Sequence, residues 1–155
     1  MSQPTASSSA SSYSNCEGVY AFLILRLFLG LRALFAGIEK WELGGEYAFS
    51  NYYATMGRMA DGIAGASFIP GWMAKAFAYP LGYILLLLGV TILLGIKSRC
   101  SLFLMGLVYV ALSFGLMAVQ EGEGVAWLAV HVGLTVAALL LNRHNRFTLT
   151  KDRHD

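Results

Sequence analysis

The sequence predicts an all-α fold: a four-helix transmembrane bundle of up-down topology, with a short interfacial helix in its first outer loop. Three observations point there. The chain has 155 residues, of which 57% are apolar and only 13% charged. Four apolar stretches reach the roughly 20 residues that a helix needs to cross a bilayer. They run over about 20–38, 74–96, 100–119 and 125–141. The formal charge of +2 is too small to suggest nucleic acid, and the basic residues gather at the ends of the apolar stretches instead.

Residues 1–18 are polar and rich in Ser, and they read as a disordered tail. They have no basic n-region and no short apolar h-region, so they do not read as a secretory signal. Residues 19–145 form the membrane domain, and 146–155 a basic cytoplasmic tail.

The first span carries Gly30 and Gly37, seven apart, and the second carries Gly82 and Gly89, also seven apart. Such stripes of small residues let membrane helices approach closely. Between these spans lies the one sizeable loop, 41–71. Gly44-Gly45 breaks the first helix, and Pro70-Gly71 precedes the second. Within the loop, Phe49, Tyr52, Tyr53, Met56, Met59 and Ile63 recur at helical spacing, which predicts an amphipathic helix around 50–63 lying on the outer surface. Two readings fit it: a helix that packs on the bundle, or a lid over a site. Pro80, early in the second span, predicts a kink or a turn there. Short connections after the second and third spans favour antiparallel neighbours.

Orientation follows from Lys and Arg. Lys97 and Arg99 join spans two and three, and Arg143, Arg146, Lys151 and Arg153 follow span four. The connection after span three has Glu121 and Glu123 and no basic residue. Both termini are therefore expected in the cytoplasm, with Trp41, Trp72 and Trp127 at the outer interface as an aromatic belt. The expected location is the inner (cytoplasmic) membrane of a prokaryote. Cys16 and Cys100 then face a reducing compartment, where a structural disulfide is not expected. No haem, flavin or metal motif is present, and no metal-spaced Cys/His cluster.

The chemistry is expected at one depth. At about 1.5 Å per residue, Arg32, Tyr83, Ser113 and His131 all fall roughly 9–12 Å below the outer boundary, one on each span. Four polar side chains at one level are best satisfied facing each other. Glu39 lies seven residues after Arg32 and only about 20° away around the helix, so it is expected at the mouth of the same groove. Arg26 points about 120° from Arg32 and reads as snorkelling to the headgroups on the cytoplasmic side. Each residue also has a plain structural reading: Arg32 bonded to carbonyls or to Ser113, His131 as a packing histidine, and Tyr83 and Tyr109 as packing residues with bonded hydroxyls. An ionisable residue within a membrane helix is nonetheless a functional hypothesis by default.

The segment LRLFLGLRALFAGIEKWE resembles the first helix of the DoxX/DoxD-like membrane protein family, with its Arg-Leu pair, its Gly and the ending Ala36-Gly37-Ile38-Glu39-Lys40. The second span, with Pro80, Gly89 and the exit Leu93–Arg99, fits the same pattern, and the resemblance covers about residues 20–145. It implies a four-helix membrane protein. In the DoxD-like branch it implies a subunit of thiosulfate:quinone oxidoreductase. Many members carry an acid midway along the second helix, where this chain has Leu85. The resulting expectation is a quinone-interacting subunit of a membrane redox complex. Quinone would be its substrate or ligand, and Arg32, Glu39, Tyr83, Ser113 and His131 its binding residues. Other redox subunits would be its partners. The alternative is a non-catalytic accessory subunit packed on a larger respiratory or photosynthetic complex. A small anion transporter is a third reading, and a homo-oligomer is compatible with all of them.

Overall fold

The computed structural model describes residues 7–145, with side chains from Cys16 onward. Helix α1 spans Ser7–Ile38, α2 Phe49–Ala66, α3 Gly71–Leu94, α4 Ser98–Ala118 and α5 Gly122–Leu141. Four of the helical segments, Cys16–Trp41, Gly71–Leu94, Ser98–Ala118 and Gly122–His144, are long and apolar enough to cross a membrane. The bundle closes as a ring, α1 against α3, α3 against α4, α4 against α5, and α5 back against α1. Four antiparallel crossings bring the start of α1 and the end of α5 to one end, with the α1–α3 connection at the other, here called the loop end.

Residues 7–18 differ from expectation. They continue α1 as helix rather than forming a disordered tail. The apolar run already nucleates the helix, so each added residue needs only propagation. Near its base, Gly18 lies so close to the His144 ring that a Cβ would meet it at 2.9 Å. The expected basic tail at 146–155 lies outside the described residues.

At the loop end, α1 passes into a 3-10 turn, Glu39–Trp41. A two-residue hairpin follows, β1 (Glu42–Leu43) paired antiparallel with β2 (Glu46–Tyr47). Gly44 and Gly45 have φ of 66° and 86°. Two successive positive-φ residues are what a tight primed hairpin turn demands, and glycine adopts them without penalty.

The amphipathic helix is present as α2, and it buries Tyr52, Met56 and Ala60 against α3. Phe49 and Tyr53 of the expected apolar face stay exposed. An exposed ion pair, Lys75 to Asp61 at 3.3 Å, also joins α2 to α3; such pairs contribute little. The larger contribution comes at Pro80, which lies inside a continuous α3. Proline removes one backbone donor and disturbs the turn before it. The Tyr52 hydroxyl donates to the Tyr79 carbonyl and accepts from the Gly82 N–H at 3.2 Å, so it bridges the two sides of Pro80. Burial pushes the Tyr52 hydroxyl above its ordinary range, which keeps it protonated as a donor. Tyr52→Phe should therefore lower stability by about 1–2 kcal/mol, since it removes two hydrogen bonds made by a buried hydroxyl. Hydrogen exchange in α2 and around residues 79–82 should rise with it; unchanged protection there would refute the bridge.

The glycine stripes act largely as expected. A Cβ on Gly89 would sit 2.8 Å from the Leu34 backbone nitrogen and 3.0 Å from the Gly30 carbonyl oxygen. A Cβ on Gly37 would meet the Leu86 side chain at 2.8 Å. Gly82 instead makes room for the Tyr52 ring, at 2.5 Å from a Cβ, so that it serves α2 rather than α1.

At the opposite end, Arg26 does not snorkel. It is 6% exposed. One terminal nitrogen donates to Asn145 Oδ1 at 3.1 Å and the other to the Leu93 carbonyl at 3.3 Å. Asn145 in turn donates to Ser98 Oγ at 2.8 Å. One buried cation thus ties α1 to the ends of α3, α4 and α5, supplying the acceptors that a charge needs away from water.

Candidate functional site

A cavity of about 150 Å³ lies within the bundle, walled by all four spanning helices and by α2. Helix α1 brings Arg32 and Ala36, and the 3-10 turn brings Lys40. Helix α3 contributes Leu81 and Leu85, α4 Tyr109 and Leu112, α5 Leu128 and His131, and α2 Met59. Arg32 and His131, matched only by depth in the sequence, therefore share one cavity. Leu85, where the family resemblance expects an acid, is in its wall.

The other three residues expected at the site lie elsewhere. Glu39 is exposed in the 3-10 turn, and its neighbour Lys40 lines the cavity instead. The Ser113 hydroxyl donates to the Tyr109 carbonyl at 2.8 Å. That is the local back-bond a mid-helix serine commonly makes, and it leaves no donor for a ligand. Tyr83 faces away from the cavity into an aromatic cluster, its ring 5.3 Å edge-on from Trp41 and 5.0 Å from Tyr52.

Tyr109 is the residue the sequence does not place at the site. It is 5% exposed, and its hydroxyl is buried with no hydrogen-bond partner among the described residues. The expected bonded packing tyrosine is thus an orphan donor on the cavity wall. Its ring lies 5.3 Å from that of His131. A buried hydroxyl left unpaired costs about 1–3 kcal/mol, so its retention asks for a partner supplied by the cavity.

His131 is held by its own helix. Its Nδ1 lies 2.8 Å from the Trp127 carbonyl oxygen. A carbonyl only accepts, so Nδ1 carries the proton, which leaves Nε2 as an acceptor when the ring is neutral. Phe28 stacks beside the ring at 6.3 Å.

The cavity thus combines two cationic side chains, Arg32 and Lys40, with an orphan hydroxyl and one imidazole, and its lining contains no carboxylate. Everything else facing it is apolar. Such a site suits a flat, largely apolar molecule whose polar edge accepts hydrogen bonds. Its size is that of apolar protein cavities of about 150 Å³ that hold a benzene ring. No group of three or more His, Cys, Asp or Glu residues that could hold a metal occurs among the described residues. No family model, no curated protein and no solved structure matches the chain.

Proposed function

We propose that this protein binds quinone in the membrane as a subunit of a redox complex, in the manner the DoxD-like resemblance implies. The orientation that goes with this reading has both termini cytoplasmic in a prokaryotic inner membrane. The observation that carries it is the buried, unpartnered Tyr109 hydroxyl beside Arg32 and His131. Two donors of different strength, a guanidinium and a phenol, suit a ring carbonyl, and charge-assisted bonds from arginine are the stronger kind. His131 Nε2 is an acceptor when neutral, so it would take up or return a proton at a ring oxygen. A bound quinone supplies the capacity to accept two electrons. With no haem, flavin or iron–sulfur motif in the chain, those electrons come from a partner subunit or from the donor itself.

The test uses the protein in nanodiscs of quinone-free lipid, titrated with a short-chain benzoquinone. Saturable binding at one site per chain is expected. Tyr109→Phe should weaken it about 3- to 10-fold, the worth of one neutral hydrogen bond. The same variant should be more stable than the parent without ligand, by about 1 kcal/mol, because it deletes an unpaired buried hydroxyl. Absence of binding by the parent protein would overturn the reading. Isolation at fixed ratio within a larger complex, without quinone binding, would establish the accessory-subunit role in its place.

A further inference from the structure

A second cavity, of about 210 Å³, lies between α3 and α4 beneath α2. Its lining is wholly apolar and includes Ile63, Phe77, Ala111, Phe114 and Gly115. It adjoins the polar cavity on three helices at once. On α2, Met59 lines the polar cavity and Ile63, one turn on, lines the apolar one. On α3 the corresponding pair is Leu81 and Phe77, and on α4 it is Leu112 and Gly115. On α2 and α3 residues four apart share one helix face, so the two spaces are neighbours there, one turn apart. Met59 packs against both core clusters of the protein, the one within the bundle and the one under α2. Its unbranched, flexible side chain makes it a yielding partition.

The polar cavity has room for a ring and little else. A tail attached to that ring must leave through one of its walls, and the wall at Met59, Leu81 and Leu112 is the one with apolar space behind it.

We propose that the apolar cleft between α3 and α4 is the tail channel of the quinone site, receiving the isoprenoid or alkyl chain of a ligand whose ring rests against Arg32, Tyr109 and His131. This rests on the quinone reading given above, and it adds where the tail of such a ligand lies. Helix α2 roofs the channel through Ile63, and Gly115 leaves it open, since a Cβ there would find only Ile63 Cδ1, at 4.0 Å. In a bilayer the tail gains no hydrophobic energy by leaving lipid. The channel therefore acts on position and entry rather than on affinity.

The experiment is photo-crosslinking in quinone-free nanodiscs, with a benzoquinone bearing a diazirine on its alkyl tail. Peptide mapping should find the label on Phe77, Ala111 and Ile63. Excess short-chain quinone, which competes for the ring position alone, should abolish that labelling. Gly115→Leu and Ala111→Leu should each lower the crosslink yield several-fold while leaving short-chain binding unchanged. Label confined to lipid-facing residues such as Leu107 and Val110 would overturn the channel, although the ring site could still stand on its own titration. Label in the cleft that short-chain quinone does not displace would also overturn it, by identifying an acyl-chain site for lipid. Failure of the short-chain titration itself would remove the quinone reading beneath it.

Discussion

Gly89→Leu is expected to cost about 3 kcal/mol or more and to separate α1 from α3, because overpacking costs about 1–3 kcal/mol for a small excess and more for a large one. The first atoms that a side chain at Gly89 would meet are backbone atoms, Leu34 N at 2.8 Å and Gly30 O at 3.0 Å. A flexible side chain could swing aside, but a helical backbone moves only if the whole helix moves. Even Gly89→Ala should therefore destabilise, against the roughly 1 kcal/mol that alanine gains over glycine in a helix interior. Gly133 supplies the contrast. It lies mid-helix in α5, is exposed, and has nothing within 4 Å of where a Cβ would stand. Gly133→Ala should keep the propensity gain. Thermal or denaturant unfolding in a common detergent should give the two alanine variants opposite signs. Equal effects would mean that the α1–α3 contact is not limited by Gly89. The consequence reaches the site, because α1 carries Arg32 and α3 carries Leu81 and Leu85 on opposite walls of the polar cavity.

The sequence made the four spans legible because length and hydropathy alone decide whether a helix can cross a bilayer. It made α2 legible because Tyr52, Met56, Met59 and Ile63 keep a helical period between two glycine- and proline-marked breaks. The site was legible only in part, and the reason is geometric. Rise per residue fixes how deep a side chain lies, so Arg32 and His131 could be matched across distant segments. Rotation about the helix axis is fixed by packing, which no count of residues supplies. Tyr83 has a depth close to that of Arg32, yet α3 turns it towards Trp41 and Tyr52. Ser113 has the depth too, but its hydroxyl is consumed one turn back by the Tyr109 carbonyl. That spacing held a usable signal: Tyr109 and Ser113 are four apart on one face of α4, so a line drawn to Ser113 passes Tyr109. For Arg26 there was no local signal at all. Its partner Asn145 is 119 residues away and beyond the last span. A cation near one end of a membrane helix reads as snorkelling until the chain that covers it is seen.

Arg32→Leu should weaken quinone binding by about 10- to 100-fold, the worth of a hydrogen bond to a charged group. It should do so without loss of fold. Arg32 is largely exposed on α1 even as it lines the cavity, and leucine is favourable where an arginine in hydrocarbon is costly. Unfolding measured without ligand should therefore be unchanged or shifted to greater stability. That combination separates a binding arginine from a structural one such as Arg26, whose loss would strand Asn145 and the Leu93 carbonyl. Arg32→Lys should fall between the parent and leucine, because an ammonium keeps the charge but not the planar fork of donors. Ser113→Ala and Tyr83→Phe, which alter residues outside the cavity, should bind as the parent does. Combining Arg32→Leu with Tyr109→Phe should cost less than the sum of the two, since both groups address one acceptor and the cycle reports their coupling. Isothermal titration on nanodisc-embedded variants gives all of these affinities on one scale. If Arg32→Leu unfolds the protein while the variants that fold bind quinone normally, Arg32 is a structural cation and the polar cavity is not the site.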